Sequence, residues 1–142
     1  MTELPTISEE EKQHLISLGI TFVKEVGVKH DTGKDRWELL MEMDSADMAA
    51  KVLTYGANTK YSRGNYLNVV GWRWRYAGAA MRHIRAYLKA RRLGRKDLEL
   101  DPDTGFHHLA HAIASLLMLL DNELNDRPEG DTEPKKKKDE AE

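Results

Sequence analysis

The residues best suited to chemistry lie in an eleven-residue segment where a turn leads into a helix. This segment contains two acids, Asp101 and Asp103, and three histidines, His107, His108 and His111. Asp-Pro and Thr-Gly are typical turn dipeptides, and the apolar residues that follow them predict a helix from about 106 to 124. Acids and imidazoles gathered at a helix N-terminus could hold a metal ion or bind an anion such as phosphate.

His108 and His111 are three residues apart and therefore share one face of this helix. Together with Asp101 or Asp103 they could form a mixed nitrogen and oxygen metal site. The alternative is a structural role, in which the histidines hydrogen-bond and lock the turn onto the rest of the domain. The polar face continues to Asn122, and its buried polar groups must find partners.

Asp44 and Asp47 lie at the start of another predicted helix, which runs from about Ser45 to Tyr55 and ends at Gly56. Their carboxylates would share a face and could hold Mg²⁺. Acids are also favoured in the first turn of any helix because they cap it and complement its dipole. Both interpretations stay open.

Charge is segregated along the chain, although the formal net charge is only -2. The segment from Met48 to Lys96 contains twelve Lys and Arg residues and no acid. Such a segment suggests a positive surface for phosphate or a polyanion, or helix interfaces that neutralise one another. Arginines and aromatics alternate in its long helix, so nucleic-acid binding is a third possibility. His83 lies beside the apolar stripe of this helix.

The whole chain is typical of an all-α protein with a bundle of about four helices. The expected helices are Ser8 to about Lys24, Ser45–Tyr55, Val70–Leu93 and Phe106–Leu124. We expect one domain over residues 1–125 and a disordered charged tail over 126–142. The 142 residues include no cysteine, no leader-like N-terminus and no membrane-length apolar run, so a cytoplasmic location is expected.

Several segments together resemble the phage dATP/dGTP diphosphohydrolase-like domain. The loop that carries Lys34 and Arg36 fails as a phosphate-binding P-loop but matches the entry motif of this family. The matching segments, in chain order, are Asp31–Leu40, Val52–Ala57, Lys60-Tyr61, Asn65-Tyr66, Arg75-Tyr76, Arg82-His83, Asp101–Gly105 and His108–Ala112. These segments form four blocks, at residues 31–40, 52–66, 75–83 and 101–112. Four blocks in the same order are far more specific than any one motif.

The resemblance implies an all-α fold related to MazG-like pyrophosphohydrolases, which cleave nucleoside triphosphates to monophosphate and pyrophosphate with Mg²⁺ (or Mn²⁺). A purine nucleotide is the implied partner, in the host cytoplasm if the protein is phage-encoded. The implied metal ligands are Asp44, Asp47, Asp101 and His108, and the implied general base is His111 or His83. The implied phosphate and nucleotide contacts are Lys34, Arg36, Lys60, Arg82, Trp37 and Tyr61.

One departure from the wider superfamily matters for function. The long helix carries no acid, so the second carboxylate pair of the superfamily is missing. A non-catalytic protein that binds or sequesters a nucleotide is therefore the alternative to a hydrolase. Related folds pair helices between subunits, which implies a homo-oligomer.

Overall fold

A computed structural model describes residues 6–20 and 26–136. The helices are α1 (Glu9–Ser17), α2 (Trp37–Met41), α3 (Asp44–Thr59), α4 (Trp72–Leu93) and α5 (His108–Leu124), with short 3-10 helices at Asn65–Asn68 and Lys96–Glu99. The all-α prediction is confirmed, since the only β pairing in the described residues is an isolated bridge between Leu100 and His107. In the described part of the chain, no helix is long and apolar enough to cross a membrane.

The chain divides into two compact units, residues 1–35 and residues 36–142. In the first unit, Ser8 caps α1 in the predicted capping box, in which its side chain and that of Glu11 each bond the other residue's backbone N–H. The helix ends at Ser17, close to Gly19, whose φ of +83° is left-handed. The predicted extension towards Lys24 falls partly on residues 21–25, which lie outside the described residues.

In the second unit, α3 continues beyond its predicted end. Gly56 is helical, and the helix reaches Thr59 with Lys60 as its C-cap. The backbone N–H groups of Lys60 and Tyr61 both donate to the Gly56 carbonyl. The Tyr61 ring lies against Gly56, 3.8 Å from where a Cβ would stand. The prediction that Gly56 stops the helix is therefore wrong, because a glycine costs a helix only about 1 kcal/mol and α3 continues through it to Thr59.

Helices α4 and α5 form the main packing contact of the second unit. Its buried apolar side chains are mostly alanines, with Ala80 and Ala90 on α4 and Ala110, Ala112 and Ala114 on α5. The polar face of α5 is turned inward, and Asn122 is 0% exposed. The leucines of the opposite face remain outside, with Leu120 55% exposed. Asn122 Nδ2 donates to the Tyr66 carbonyl at 3.1 Å, whereas its Oδ1 has no hydrogen-bond partner among the described residues.

A C-terminal strap, residues 128–132, is held against the start of α4. The Glu129 carbonyl accepts from Gly71 N–H at 2.8 Å, and the Gly130 carbonyl accepts from Arg73 N–H at 3.1 Å. The indole N–H of Trp72, a ring only 1% exposed, donates to the Pro128 carbonyl at 3.0 Å. These bonds satisfy N–H groups that the first turn of a helix leaves unpaired. Residues 128–130, which fall in the predicted tail, are therefore hydrogen-bonded to the start of α4.

Gly130→Ala should destabilise the protein by about 1–3 kcal/mol, the usual cost of overpacking. A Cβ at this position would lie 2.8 Å from Cζ2 and 2.9 Å from Cε2 of Trp72, both in a rigid ring. Urea unfolding measures the loss. Gly27→Ala is the matched control because nothing lies within 4 Å of the added methyl group. Equal stability of the two variants would contradict the packing of the strap on Trp72.

Candidate metal centre and adjoining groove

The turn before α5 fixes the Asp101 carboxylate with backbone hydrogen bonds. Its Oδ1 accepts from the N–H of Asp103 at 2.9 Å and from the N–H of Thr104 at 3.0 Å. The backbone closes around it, with Gly105 N–H donating to the Asp101 carbonyl and Asp101 N–H donating to the Phe106 carbonyl. An aspartate that bonds the backbone two and three residues later is typical of such turns. The carboxylate is thus oriented before any ligand arrives.

His107 has a structural role at the start of α5. Its Nδ1 accepts from Leu109 N–H at 3.0 Å and so caps the helix. Its Nε2 lies 3.9 Å from the carboxylate of Glu99, which is buried. The ring also lies against Tyr87, with centroids 5.5 Å apart. His107 therefore caps α5 and does not belong to the cluster described next.

Three side chains converge between α4 and the start of α5: His83, Asp101 and His108. One potential ligand atom from each lies within 4.8 Å of the others. The Nδ1 atoms of His83 and His108 are only 2.9 Å apart. His108 is 7% exposed, and His83 follows buried Ala80 on the same stripe of α4. We call these residues the His–Asp cluster, and in the described residues they form the one group suited to holding a metal ion.

His111 lies directly behind the cluster. Its ring stacks on that of His83, with centroids 4.7 Å apart and planes 13° from parallel. Its Nε2 is 2.6 Å from the Thr104 hydroxyl, which is itself 3.4 Å from Asp101 Oδ1. Thr104 thus joins His111 to the Asp101 turn. Thr104 was not among the predicted site residues, although a hydroxyl in an Asp-Pro-Asp-Thr turn is a signal that could have identified it.

The surroundings favour neutral histidines and an ionised aspartate. Burial lowers the pKa of both His83 and His111. Positive charge on neighbouring histidines lowers the pKa of each further. Burial alone would raise the pKa of Asp101, but the two backbone N–H donors and the nearby histidines outweigh it and lower the pKa. Neutral imidazoles and a carboxylate are the forms that bind a metal ion.

The donor set does not fit the expected Mg²⁺ well. Mg²⁺ prefers six oxygen ligands, whereas the His–Asp cluster offers two imidazole nitrogens and one carboxylate. Imidazole suits transition-metal ions. The predicted ligands Asp101 and His108 are brought together, but their third neighbour is His83.

Asp44 and Asp47, the other predicted ligands, lie elsewhere. Both are exposed in the first turn of α3, as acids favoured by a helix N-terminus would be. Neither belongs to the His–Asp cluster. Their proposed role in metal binding draws no support from this arrangement.

An open groove of about 410 Å³ runs along α3 and reaches Phe106. Its lining residues are Asp47, Ala50, Lys51, Thr54, Tyr55 and Phe106. The Phe106 ring meets Tyr55 edge-on, with centroids 5.8 Å apart, and lies 6.1 Å from the His111 ring. The groove therefore adjoins the His–Asp cluster through Phe106. Lys51 and Tyr55 share a face of α3 through their i, i+4 spacing, but they were missed as site residues because their proximity to Phe106 arises only from folding.

Two of the predicted phosphate-binding cations lie near the cluster. Lys60 is 6.0 Å from the centre of the Tyr55 ring, and its charge contributes to the lowered pKa of His111. Arg82 contributes in the same way to the lowered pKa of His83. Lys60 thus lies near Tyr55 of the groove and near His111, whereas Arg82 lies near His83 of the cluster.

The remaining predicted contacts are exposed and are not joined to the cluster by the contacts described above. Arg36 pairs with Glu38 at 2.7 Å, and Trp37 is 71% exposed at the start of α2. Tyr61 is 58% exposed beside Gly56. Lys34 belongs to the first unit and stays a prediction.

The family model described as dATP/dGTP diphosphohydrolase, N-terminal, matches residues 24–133, which is most of the chain. The chain belongs to this family. The match confirms the resemblance seen in the sequence, and it includes every residue of the cluster and the groove. No curated protein and no solved structure matches the chain.

The lowered histidine pKa values predict a loss of stability in acid. In the unfolded chain, the two histidines take up protons as the pH falls through about 6.5. In the folded protein, the lowered pKa values of His83 and His111 delay that protonation to a lower pH. Stability contributed by the neutral histidines is therefore present above that pH and lost below it. The free energy of unfolding, measured with a chelator present, should fall between about pH 7.5 and about pH 5.5.

His111→Gln should reduce this pH dependence because it removes one of the two histidines. Ser115→Ala, a half-buried change on the same helix, removes no titratable group and should retain the dependence. An unchanged slope in His111→Gln would contradict the assignment.

Proposed function

We propose that the protein hydrolyses dATP or dGTP to the deoxynucleoside monophosphate and pyrophosphate with a divalent metal ion. The observation that carries the proposal is the placement of the His–Asp cluster beside an aromatic groove and two cations, in a chain of this family. Free deoxynucleotides as substrates fit the expected cytoplasmic location, in the host if the protein is phage-encoded.

The groove is proposed to receive the purine. Its volume of about 410 Å³ is in the range of small-ligand sites. Tyr55 and Phe106 offer ring faces and edges for stacking. A base bound there would leave its phosphates near Lys60 and Arg82, which would neutralise charge developing on the departing pyrophosphate.

The exposed residues Lys34, Arg36, Trp37 and Tyr61 are proposed as further nucleotide contacts. Each is a cation or an aromatic side chain, and such groups meet phosphates or stack on bases. These assignments follow from the family motif. The geometry around Lys60 and Arg82 supports those two cations more directly.

His111 is proposed as the general base that takes a proton from the attacking water. Its pKa is lowered by burial, so the ring is neutral and able to accept a proton at neutral pH. Its Nε2 faces the Thr104 hydroxyl at 2.6 Å, which fixes the ring and leaves Nδ1 as the second nitrogen. His83, the other predicted base, is proposed instead as a metal ligand, because its Nδ1 faces Nδ1 of His108.

A bound divalent ion would supply positive charge and would acidify a water molecule. The family resemblance implies Mg²⁺ or Mn²⁺, with Asp44 and Asp47 among the ligands. The two-nitrogen donor set of the His–Asp cluster favours a different ion, which is taken up below.

Purified protein should release pyrophosphate and dAMP or dGMP from dATP or dGTP when a divalent metal is added. Arg82→Ala should raise KM about tenfold or more, since a hydrogen bond to a charged group is worth roughly 1.5–3 kcal/mol. His111→Gln should lower kcat by about 10²–10⁴ through loss of the base. Each of the eight common nucleoside triphosphates is tested as a substrate. Chromatography of the products then measures KM and kcat.

Arg92→Ala is the matched control, because Arg92 is an exposed arginine in the last turn of the same helix. Its kinetics should equal those of the wild type. Nucleotide recovered unchanged after tight binding would favour the non-catalytic alternative, which the acid-free α4 supports. Absence of both turnover and binding would reject a role in nucleotide handling.

We also propose that the protein is a homo-oligomer that pairs through the outer face of α5. Leu116, Leu120 and Leu124 lie on this face and are 46%, 55% and 73% exposed. Contiguous apolar patches of this kind usually mark interaction sites. Related folds that pair helices between subunits give the same expectation.

Leu120→Glu should therefore shift the protein to a smaller species, because a buried charge would oppose association. Light scattering after size-exclusion chromatography measures the mass. Leu93→Glu is the matched control, an exposed leucine at the end of α4. A wild-type protein that is monomeric at high concentration would contradict the proposal.

A further inference from the structure

We propose that the His–Asp cluster is a transition-metal site that selects ions such as Zn²⁺, Co²⁺ or Ni²⁺ over Mg²⁺ and binds one ion per chain without nucleotide. The ligands are Nδ1 of His83, Nδ1 of His108 and the carboxylate of Asp101. The proposal concerns metal binding alone, so it stands whether or not the protein hydrolyses a nucleotide.

The spacing of the two imidazole nitrogens suits one shared ion. Two nitrogens about 2.1 Å from the same ion lie roughly 3.0–3.4 Å apart, depending on whether the site is octahedral or tetrahedral. The Nδ1 atoms of His83 and His108 are 2.9 Å apart. In an octahedral site, two ligands on opposite sides of the ion would be roughly 4.2 Å apart. The three ligand atoms here lie within 4.8 Å of one another, which is slightly farther. Binding of one ion therefore requires a side-chain movement that brings these ligand atoms closer together.

The neighbours of the cluster hold these ligands in position. Asp101 Oδ1 is fixed by the N–H groups of Asp103 and Thr104. The His83 ring is backed by the stacked ring of His111, which Thr104 anchors at 2.6 Å. His108 is 7% exposed at the first residue of α5. Groups of this kind, one bond removed from the metal, orient ligands and tune affinity in metal sites.

The choice of ion follows from the donors and the nearby charges. Mg²⁺ gives up its water reluctantly and is held mainly by carboxylates, of which the cluster has one. The nearby cations Lys60 and Arg82 oppose an ion held by charge alone. Imidazole nitrogens form stronger bonds to Co²⁺, Ni²⁺ and Zn²⁺ than to Mg²⁺. Two such donors therefore favour a transition-metal ion at this position.

The alternative is a metal-free pair in which His83 and His108 share one proton. A neutral imidazole can donate from Nδ1 to the Nδ1 of its partner, and the 2.9 Å separation also fits that bond. Such a pair would be purely structural. The two interpretations differ in a measurable way, because only the first includes affinity for a metal ion.

Metal binding is tested on untagged, chelator-treated full-length protein without nucleotide. Co²⁺ should give a visible d–d absorption band that saturates at one ion per chain. Zn²⁺ should displace the Co²⁺ and raise the melting temperature, as a ligand of the folded state must. Mg²⁺ at equal concentration should do neither.

Asp101→Asn is the most informative variant, because an amide oxygen can still accept the two backbone N–H bonds while the negative charge is lost. It should lower Co²⁺ affinity by more than roughly 100-fold. His83→Gln should do the same. Removal of a residue that bonds a ligand, but not the metal itself, typically costs roughly 10- to 100-fold. Thr104→Val should lower affinity by at most about 10- to 100-fold, since Thr104 is not a ligand and contacts Asp101 and His111 from outside the metal position.

Two controls lie next to the ligands in the chain. Asp103→Asn alters an exposed acid of the same turn, and His107→Asn retains a good helix cap. Both should bind Co²⁺ like the wild type. Folding of each variant is checked by circular dichroism.

Three results would overturn the proposal. One is the absence of Co²⁺ binding to folded wild-type protein, which would leave the shared-proton pair. Another is Co²⁺ binding that Asp101→Asn and His83→Gln do not weaken. The third is Mg²⁺ binding as tight as that of Zn²⁺. None of these measurements depends on turnover, so a failed hydrolase assay would leave them unaffected.

Discussion

The close approach of α4 and α5 is the contact on which the candidate site depends. Alanines on both helices, among them Ala80 and Ala112, occupy the buried positions where larger residues would hold the helices apart. Small interface residues allow a short interaxial distance. At that distance the imidazoles of His83 and His108 meet at 2.9 Å instead of reaching solvent. A core of alanines is thus what lets two polar rings share the interface.

This arrangement lowers the apolar area that α4 and α5 can bury. Alanine buries little surface, and His108 and Asn122 occupy inward positions that leucines could have filled. Compensation comes from the other end of α4, where the strap covers Trp72 and supplies carbonyls to unpaired N–H groups. The leucines displaced to the outside of α5 leave a second apolar face. The polar residues at the helix interface thus account for two other features. These are the C-terminal strap docked on Trp72 and the exposed leucine face of α5.

Local features were predictable from the sequence, whereas distant contacts were not. The capping box of Ser8 and the end of α4 at Gly94 depend on neighbouring residues, and both appear as expected. Gly56 misled because a glycine only weakens a helix, and α3 continues through it to Thr59. His83 and His108 are 25 residues apart, so their contact depends on how two helices pack. The strap was not predicted because its charged, proline-containing composition is typical of disorder. Trp72 binds a backbone carbonyl of the strap, and composition does not indicate such a contact.

The charge around the cluster limits what can complete the site. Within the segment from 48 to 96 there is no acid, so the charges of Lys60 and Arg82 are not balanced from that segment. Asp101 brings one negative charge, fewer than a divalent ion carries. A metal bound there would leave the region strongly positive, and the unbalanced charge would attract a polyanion. A triphosphate has the charge that such a region lacks, whereas a neutral nucleoside does not. The acid-free α4 thus agrees with the phosphate contacts proposed above for Lys60 and Arg82.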